Sequence, residues 1–357
     1  MFDYTLEGGG YETAFVVQPQ TTTGYTVQLL YCANDRYLQP LCVSLASLAH
    51  HHPDIALEIT ITFQGDRPTA VDAVVQTLKA YPLVRWKIIP PHPLPKGMSD
   101  KLYYSLEMYQ RYFAADILPD TDKIIYLDCD TVINGSLRPL WQTDLGTKGL
   151  AACAIPGATR TATLTGQKNK PYFNSGVMLI NAKKWREMDA AALLLRTTKA
   201  HFQYLYEPDQ DILNLCFMDD WITLTPIWNV IRPYYIENPD FSTSTADMRN
   251  ICKNARIIHY NSQYKPWQYG DNHPRKDLYL QFKKQTPFRH EPLMGKTLTA
   301  VIQNTLAALL PAGLKEIMKK LLGQGPEQIK DHAAVQKSPI PLRPIYKDRE
   351  IDINQSP

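Results

Sequence analysis

The chain has 357 residues, of which 44% are hydrophobic and 20% charged, and its formal net charge at pH 7 is +3. This length accommodates one large α/β domain or two smaller ones, and the composition is that of an ordinary soluble globular enzyme. A charge of +3 is too small to indicate a nucleic-acid partner, so none is expected. The six cysteines have neither CxxC nor zinc-ligand spacing, which predicts reduced core thiols in a cytosolic protein and not a disulfide scaffold.

The two ends of the chain differ in character from the middle. Residues 1–24 contain the run Gly8–Gly10 but no basic segment followed by an apolar one, so they are predicted to be a flexible leader and not a signal peptide. The stretch 288–323 repeats apolar residues at helical spacing with lysines in its second half, which predicts an amphipathic helical extension. Such an extension either contacts a membrane surface peripherally, here through residues 297–322, or packs on its own domain or a partner. Residues 324–357 are polar and proline-rich, typical of a flexible tail.

The segment between these ends, residues 25–287, alternates strand and helix patterns. Its first part reads as strand, helix, strand, helix and strand over the following ranges: 25–33, 38–51, 57–63, 69–79 and 84–89. This alternation predicts an α/β fold with a parallel sheet and right-handed crossovers. No stretch reaches the roughly 18 to 20 consecutive apolar residues of a membrane span.

The second part of this segment begins with a rigid proline-rich connector at 90–95, after which a helix is predicted from Ser99 to about 115. A polar loop at 157–170 has the length of a lid or a binding loop. Further helices are predicted at 183–199 and 208–217. Further strands are predicted over the following ranges: 124–127, 149–154, 172–181, 221–228 and 255–259.

The stretch from Lys123 to Ile133 is organised around two carboxylates. An apolar run, typical of a buried strand, ends in Asp128 and Asp130, and open α/β sheets bind ligands beyond the carboxyl ends of their strands. In an extended backbone these two side chains would leave the same face. Two carboxylates directed at one point repel each other unless something positive lies between them. The stretch therefore predicts either a divalent cation, which commonly also holds phosphate, or an acidic strand end facing water.

Four blocks in sequence order resemble glycosyltransferase family 8, and most closely its bacterial lipopolysaccharide galactosyl- and glucosyltransferases, to which glycogenin is related. They lie between residues 25 and 270 and read Ile125-Tyr-Leu-Asp128-Cys129-Asp130, Tyr172-Phe-Asn174-Ser-Gly176, Asp209-Gln210-Asp211-Ile-Leu-Asn214, and His259 with Lys265-Pro266-Trp267. The resemblance implies a type A glycosyltransferase fold with a Rossmann-like nucleotide-binding sheet. It also implies retaining transfer of galactose or glucose from a UDP-sugar, with Mn²⁺ or Mg²⁺ as cofactor.

Carried over residue by residue, the resemblance implies three metal ligands, Asp128, Asp130 and His259. An imidazole among carboxylates tilts the preference towards Mn²⁺ over Mg²⁺. Lys265 would add a point charge at the diphosphate. The full set of implied donor-binding positions is Ala33, Asn34, Asp35, Arg111, Asp128, Cys129, Asp130, Asn174, Asp209, Gln210, His259, Ser262 and Lys265. Of these, the resemblance implies that Asn174, Asp209 and Gln210 bind the sugar and that the loop at residues 33–35 contacts the uracil and ribose.

The implied catalytic residues are Asp209, Gln210 and Asp211. In the family, the glutamine at this position lies nearest the reactive face of the anomeric carbon. An amide is a poor nucleophile, which favours front-face attack in which the leaving phosphate takes the acceptor's proton. Double displacement needs a carboxylate nucleophile, and Asp211, the nearest carboxylate in sequence, keeps that route open.

One position departs from the family pattern His-x-x-Gly-x-x-Lys-Pro-Trp: Ser262 stands where a glycine is common. That glycine lets the backbone approach the diphosphate, so an altered donor affinity is expected.

Asp128-x-Asp130 also resembles the nucleophile motif of haloacid-dehalogenase-type phosphatases, with Asp219 and Asp220 as a distal acidic pair. A non-catalytic nucleotide-sugar-binding protein is a third interpretation.

The resemblance also implies where the protein acts and on what. The acceptor would be a glycan or lipid-linked glycan, such as the lipopolysaccharide core or another surface glycan. An enzyme that builds such a glycan would be cytoplasmic and would meet its acceptor at the inner face of the cytoplasmic membrane. Peripheral contact through the C-terminal extension would bring it there.

Overall fold

A seven-stranded sheet runs through the described part of the chain, which in this computed structural model comprises residues 26–94, 106–168, 170–235 and 243–297. Its strands, in spatial order, are β3 (Val84–Ile89), β2 (Ala56–Gln64), β1 (Thr26–Asn34), β4 (Lys123–Leu127), β7 (Phe173–Asn181), β6 (Leu150–Ala154) and β8 (Trp221–Leu224). The first four of these are parallel, as the β-α-β-α-β pattern predicts. β7 is antiparallel to both of its neighbours, and β8 is parallel to β6.

A second sheet of three short strands completes the edge at which β4 ends. Its strands, in spatial order, are β5 (Thr131–Ile133), β10 (Ile257–His259) and β9 (Val230–Ile231). β10 is antiparallel to β5, so that His259 pairs with Thr131, and it is parallel to β9, so that His259 also pairs with Ile231. Because β5 begins directly after Asp130, this pairing brings a histidine far along the chain to the acidic turn.

Helices cover both faces of the main sheet. They are α1 (Leu38–His50), α2 (Arg67–Leu78), α3 (Ala114–Ile117), α4 (Arg138–Trp141), α5 (Arg160–Thr165), α6 (Ala182–Glu187), α7 (Ala190–His201), α8 (Pro208–Cys216), α9 (Thr245–Lys253) and α10 (Lys276–Lys283). Short 3-10 helices lie at Asp35–Tyr37, Leu106–Phe113, Phe202–Tyr204, Pro226–Trp228, Arg232–Tyr235 and Pro287–His290. Side-chain caps begin several helices: Asp66 accepts from the Thr69 N–H, Asn181 from Lys184 and Ser244 from Asp247.

The core explains why β4 reads as a continuous apolar run. Its Ile125 and Leu127 enter one hydrophobic cluster, shared with α1 and α2, while Ile124 and Tyr126 enter another, shared with α7 and α8. A strand covered on both faces needs apolar residues at every position and not at alternate ones. All six cysteines are free, and four of them are buried.

Several predicted elements differ from those observed. The helix expected from Ser99 is a 3-10 helix, Leu106–Phe113, followed by α3, and residues 95–105 lie outside the described part. The loop 157–170 contains α5. The strand expected at 221–228 ends at Leu224 because Pro226, which has no backbone N–H to give a ladder, opens a 3-10 helix.

The helix predicted at 183–199 is two helices. Asp189 separates α6 from α7 with a positive φ of 48°, a conformation that ends regular helix geometry. The pattern of apolar residues continues across this break because both helices pack on the same cluster, through Trp185 and Leu194. Periodicity alone therefore could not reveal the break.

The terminal predictions are described only in part. The leader, residues 1–24, and the tail, 324–357, lie outside the described residues. Of the extension 288–323, only residues 288–297 are described, and there Met294 forms a bridge with Gln268. Nearly all of the segment expected to contact a membrane, residues 297–322, therefore falls outside. Among the residues that are described, no helix combines the length and the apolar character needed to cross a membrane.

The break at Asp189 gives a stability test. Asp189 is exposed, and its backbone is in the left-handed region. That conformation costs residues with a Cβ about 1–2 kcal/mol. Asp189→Gly should therefore leave the free energy of unfolding unchanged or raise it by up to about 1 kcal/mol. Arg196→Gly, at an exposed position inside α7, should lower it by about 1 kcal/mol. Equilibrium urea unfolding measures both, and changes of the same size and sign would contradict this account.

Candidate active site

The site lies at the carboxyl end of β4. Asp128, Cys129 and Asp130 form a turn between β4 and β5, not the extended backbone expected. The Asp128 N–H donates to the Gly176 carbonyl oxygen at 2.8 Å. The Tyr260 N–H donates to the Asp130 carbonyl oxygen at 2.9 Å. Both sheets thus hold the turn, and its two carboxylates converge even though the backbone is not extended.

The three predicted metal ligands form one group, which we call the metal-type cluster. Each of Asp128, Asp130 and His259 offers a ligand atom, and these atoms lie within 4.8 Å of one another. The His259 Nε2 is 3.2 Å from the Asp130 Oδ1 and 3.6 Å from the Asp128 Oδ2. Gly176 makes this approach possible, because a Cβ there would overlap the His259 ring and lie 2.5 Å from the Asp128 Oδ2. Within the described part of the chain, this is the cluster whose ligand types and spacing suit a metal ion.

Two cations flank the cluster. The Lys265 Nζ lies 2.6 Å from the Asp130 Oδ2 and donates to the Tyr260 carbonyl oxygen at 2.8 Å. Burial alone would raise the pKa of the Asp130 carboxyl, but Lys265 and His259 together hold it below its usual value. On the other side, Arg111 lies 2.9 Å from the Asp128 Oδ1. The Asp130 carboxyl is therefore held in its ionised form, and positive charge lies on both sides of the cluster.

Arg111 connects this cluster to a second polar group. Its guanidinium donates to Asp128 and to the Ser175 carbonyl and hydroxyl oxygens, forms an ion pair with Asp209 at 3.0 Å, and lies over the Tyr126 ring. Burial raises the pKa of Asp209, and the Arg111 charge opposes that rise. Because Arg111 is itself buried, these carboxylates supply the charge that compensates for its desolvation.

The predicted sugar-binding residues meet where α8 begins beside β7. The Gln210 Oε1 accepts from the Asn174 Nδ2 at 2.8 Å and from the Ser175 N–H at 3.0 Å, while its Nε2 donates to the Tyr172 hydroxyl at 3.2 Å. The Ser175 hydroxyl also donates to Asp209 at 3.2 Å. All of these side chains are buried, which gives a rigid wall of amide and carboxylate groups next to the metal-type cluster.

Asp211 lies apart from the other predicted catalytic residues. Its carboxylate is fully buried and accepts from the Arg160 guanidinium, the Tyr172 hydroxyl at 2.7 Å and the backbone N–H of Tyr206 at 2.8 Å. Residues two apart on a helix do not face each other, so Asp211 points away from the side of α8 that carries Asp209. These contacts hold the start of α8, so we expect Asp211 to have a structural role.

The three predicted donor positions nearest the start of the chain lie at the carboxyl end of β1 and directly after it. Ala33 and Asn34 end β1, where Asn34 caps the following 3-10 helix by accepting from the Tyr37 N–H at 3.2 Å. The Asp35 carboxylate accepts from the Asp66 N–H at 3.0 Å. The predicted nucleotide-contacting loop is thus ordered by its own side chains.

Cys129 and Ser262 both have partners within the fold. Cys129 is buried, its Sγ donates to the Cys32 carbonyl oxygen at 3.3 Å, and burial raises its pKa. A thiol in that state is inert. Ser262, which stands in place of the family glycine, donates its hydroxyl to the Tyr264 carbonyl oxygen at 2.7 Å. Its side chain therefore stabilises the loop that leads to Lys265.

The acidic pair of the phosphatase interpretation does not join the site. Asp219 forms an ion pair with Lys170, and Asp220 forms one with Lys184. A phosphatase of that class needs its distal carboxylates beside the nucleophile motif to hold its metal. These two instead follow α8 and precede β8, in ion pairs at the protein surface.

Sequence reasoning missed four residues of the site: Tyr126, Arg160, Tyr172 and Asn229. Tyr126 donates to Asp128 at 2.8 Å, and Asn229 lies between Asn174 and His259. Tyr126 and Tyr172 lie inside two of the recognised motif blocks, which was a usable signal. Arg160 and Asn229 lie in no motif, and only the folded chain reveals their partners.

The fold and this site define the class of protein. The structure is similar to that of a solved galactosyltransferase, LgtC in complex with donor and acceptor sugar analogs, with a TM-score of 0.63 and 25% identity, covering 73% of this chain and 96% of that one. The expected type A glycosyltransferase fold is thereby confirmed. The sequence profile of Glycosyl transferase family 8 matches residues 28–271, more than half of the chain. The chain belongs to glycosyltransferase family 8.

Curated relatives cover a narrower part of the chain. General stress protein A of Bacillus subtilis is 27% identical over 186 residues, which make up 50% of this chain and 65% of that protein. The glycosyltransferase GlyF of Streptococcus pneumoniae is 24% identical over 67% of this chain and 56% of its own length. A lipopolysaccharide 1,2-glucosyltransferase of Escherichia coli is 29% identical over 54% of this chain and 56% of its own length. The chain thus spans less than two thirds of each of these relatives.

The structural role of Asp211 can be tested by unfolding. Asp211→Asn should lower the free energy of unfolding by about 3 kcal/mol, because it leaves the Arg160 guanidinium without its buried counter-charge. Asp219→Asn is the matched control, since Asp219 pairs with Lys170 at the surface and should change stability by less than about 1 kcal/mol. Equilibrium urea unfolding measures both, and equal effects of the two variants would contradict the assignment.

Proposed function

We propose that this protein is a metal-dependent, retaining hexosyltransferase that moves galactose or glucose from a UDP-sugar to a glycan acceptor. The observation that carries the proposal is the adjacency of two groups: the ligand cluster of Asp128, Asp130 and His259, and the polar wall that contains Asp209 and Gln210. Arg111 joins the two groups through ion pairs with Asp128 and Asp209. A nucleoside diphosphate sugar needs this combination, with its charged diphosphate at one end and its hydroxyl-rich ring at the other.

The donor atoms of the cluster fit a divalent cation. The His259 Nδ1 faces the Asn229 Oδ1 at 3.0 Å, so the ring donates there, and in the neutral ring the Nε2 lone pair faces two carboxylates. Three acceptors that converge on one point repel one another unless a cation compensates them. Two carboxylates and one imidazole suit Mn²⁺ better than Mg²⁺. When bound, such an ion supplies a Lewis acid that stabilises the charge of the leaving diphosphate.

Lys265 and Arg111 are suited to hold the diphosphate. Both form ion pairs with carboxylates of the cluster, Lys265 with Asp130 and Arg111 with Asp128, and these pairs fix their positions. A fixed cation costs little reorganisation when negative charge develops on the leaving group. The Asp128 side chain is 24% exposed, against 9% for Asp130, so the open side of the cluster is the one that Arg111 borders.

We call the polar wall formed by Asn174, Asp209 and Gln210 the sugar wall, because we propose that it binds the sugar ring. Its hydrogen bonds favour front-face transfer over double displacement. The Gln210 Oε1 already accepts two hydrogen bonds, and an amide oxygen is a poor nucleophile. Asp209 is paired with Arg111, and the Asp211 carboxylate is enclosed by Arg160 and Tyr172. With both carboxylates at the start of α8 engaged in this way, the acceptor oxygen would attack from the face that the phosphate leaves, and the phosphate oxygen would take its proton.

The relatives suggest the sugar and the acceptor class. LgtC is described as a galactosyltransferase and the Escherichia coli relative as a glucosyltransferase that acts on lipopolysaccharide. By analogy, the donor here is UDP-galactose or UDP-glucose, and the acceptor is lipopolysaccharide core or another surface glycan. Action in the cytoplasm, at the inner face of the membrane where such glycans grow, belongs to the same proposal.

A screen of UDP-sugars tests the proposal. With Mn²⁺ present, the purified protein should release UDP from one UDP-hexose, and faster when a suitable glycan acceptor is added. A non-catalytic binding protein would bind the nucleotide sugar without releasing UDP. A phosphatase would instead hydrolyse phosphate monoesters. Either of those results would refute the proposal that the protein is a hexosyltransferase.

Removing a metal ligand should abolish turnover. Loss of a group that only supports a ligand typically costs 10- to 100-fold in metal affinity or activity, so Asp130→Ala should reduce UDP release by more than about 100-fold. Asp54→Ala, which removes an exposed carboxylate that pairs with Arg138, is the control and should retain the wild-type rate. Near-normal turnover by Asp130→Ala at saturating donor and Mn²⁺ would show that the cluster does not hold the metal.

Gly176 offers a second test of the cluster, by steric means. In Gly176→Ala the added methyl group would overlap the His259 ring and crowd the Asp128 carboxylate, so Mn²⁺ affinity should fall by at least about 10-fold. Gly270→Ala is the control, because a Cβ there meets no atom within 4 Å and should leave the affinity unchanged. Electron paramagnetic resonance of free Mn²⁺ in the presence of UDP measures both, and equal affinities would count against the proposed metal site.

A further inference from the structure

Asn229 lies between the metal-type cluster and the sugar wall. It is 2% exposed and directly precedes β9, the strand that pairs with β10 and so with His259. Its Oδ1 is 3.0 Å from the His259 Nδ1, and its Nδ2 donates to the Asn174 Oδ1 at 2.7 Å. One side chain thus contacts a metal-type ligand on one side and a predicted sugar-binding amide on the other.

Backbone groups fix the orientation of these amides. Peptide N–H groups can only donate, so the Ser175 N–H identifies the atom of Gln210 that it contacts as oxygen, and the Gly176 N–H does the same for Asn174. The Asn174 Nδ2 therefore donates to Gln210, and the Asn174 Oδ1 accepts from Asn229. This leaves the Asn229 Oδ1, an acceptor, facing the ring of His259.

The orientation of Asn229 determines the tautomer of His259. An acceptor at 3.0 Å requires that the His259 Nδ1 carry the proton. In the neutral ring, which is the form that binds a metal, the lone pair is then on Nε2, and this atom points towards Asp128 and Asp130. In metalloproteins the second ring nitrogen of a ligating histidine commonly has such a partner, which holds the ring and selects the tautomer.

We propose that Asn229 is a positioning residue that fixes the tautomer and ring orientation of His259 for metal binding and links that ligand to Asn174 in the sugar wall. This inference rests on the proposed function, because it takes the cluster to be a metal site. It assigns Asn229 no contact with the reacting atoms. Its effect on the metal passes through His259, and its effect on the sugar wall passes through Asn174.

Metal affinity tests the first half of this role. Asn229→Ala removes the acceptor from the His259 Nδ1 and should weaken Mn²⁺ binding by about 10- to 100-fold, measured by electron paramagnetic resonance with UDP present. The matched control is Asn134→Ala, which also removes an asparagine amide beside the three-stranded sheet. The Asn134 amide donates to the backbone carbonyl oxygen of Ala255 and does not contact His259. This control should bind Mn²⁺ like the wild type. An Asn229→Ala affinity equal to the wild-type value would overturn the proposal.

Asn229→Asp separates the two contacts. A carboxylate still accepts from the His259 Nδ1, so Mn²⁺ affinity should stay within about 3-fold of the wild-type value or increase. It cannot donate to the Asn174 Oδ1, so the KM for the sugar donor should rise while metal affinity persists. If Asn229→Asp loses Mn²⁺ affinity as severely as Asn229→Ala, the hydrogen bond to His259 is not the cause and the proposal fails. Because Asp has nearly the same shape as Asn, this variant also remains informative if the alanine variant does not fold.

Nitrogen NMR of the histidine rings gives a readout that does not depend on turnover. Near pH 8, where imidazoles are ordinarily neutral, and with Mg²⁺ and UDP present, the wild-type His259 ring should carry its proton on Nδ1. A His259→Gln spectrum identifies the resonances. In Asn229→Ala the proton should shift towards Nε2, whereas Asn134→Ala should keep the wild-type pattern. A wild-type ring protonated on Nε2, or on both nitrogens, would contradict the proposal.

These results can fail independently of the proposed function. If the wild-type protein releases UDP from no UDP-hexose, the proposed transferase activity is wrong, whatever the His259 tautomer is. If the wild type turns over while Asn229→Ala retains both Mn²⁺ affinity and the wild-type ring pattern, only the role of Asn229 is wrong.

Discussion

The convergence of Asp128, Asp130 and His259 on one point is the constraint on which the site depends. Their ligand atoms lie within 4.8 Å of one another, and Arg111 and Lys265 compensate part of their charge from either side. Such a cluster is unfavourable for stability by itself, because like charges and lone pairs converge in a largely buried place. It persists because two sheets hold the turn between β4 and β5 and because cations surround it.

This constraint also explains how the sugar wall is built. Arg111 compensates Asp128 with one part of its guanidinium and contacts Asp209 with another, so the electrostatics of the cluster and of the wall are coupled. A second connection runs through hydrogen bonds from His259 to Asn229 and on to Asn174. Displacement of one group would therefore disturb the other, and we expect the binding of metal and the binding of sugar to be energetically linked.

The sequence predicted what depends on local pattern and missed what depends on strand register and side-chain direction. The run before Asp128 predicts a buried strand because both faces of β4 are covered. Asn229 could not be predicted, because its role arises from the pairing of β9 with β10 across about thirty residues of chain. The contacts of Asp211 could not be predicted either, because nearness in sequence does not reveal that it points away from Asp209 on α8. The break at Asp189 is a backbone feature that apolar spacing does not report.

The central claim is that Asp128, Asp130 and His259 hold a divalent metal beside the sugar wall. Anomalous X-ray diffraction from crystals grown with Mn²⁺ and UDP tests it most directly. The account predicts one strong anomalous peak within about 2.0–2.3 Å of the His259 Nε2 and of one oxygen from each of the two aspartates. An anomalous peak elsewhere in the protein, with nucleotide bound but the cluster still held by Arg111 and Lys265 alone, would contradict it.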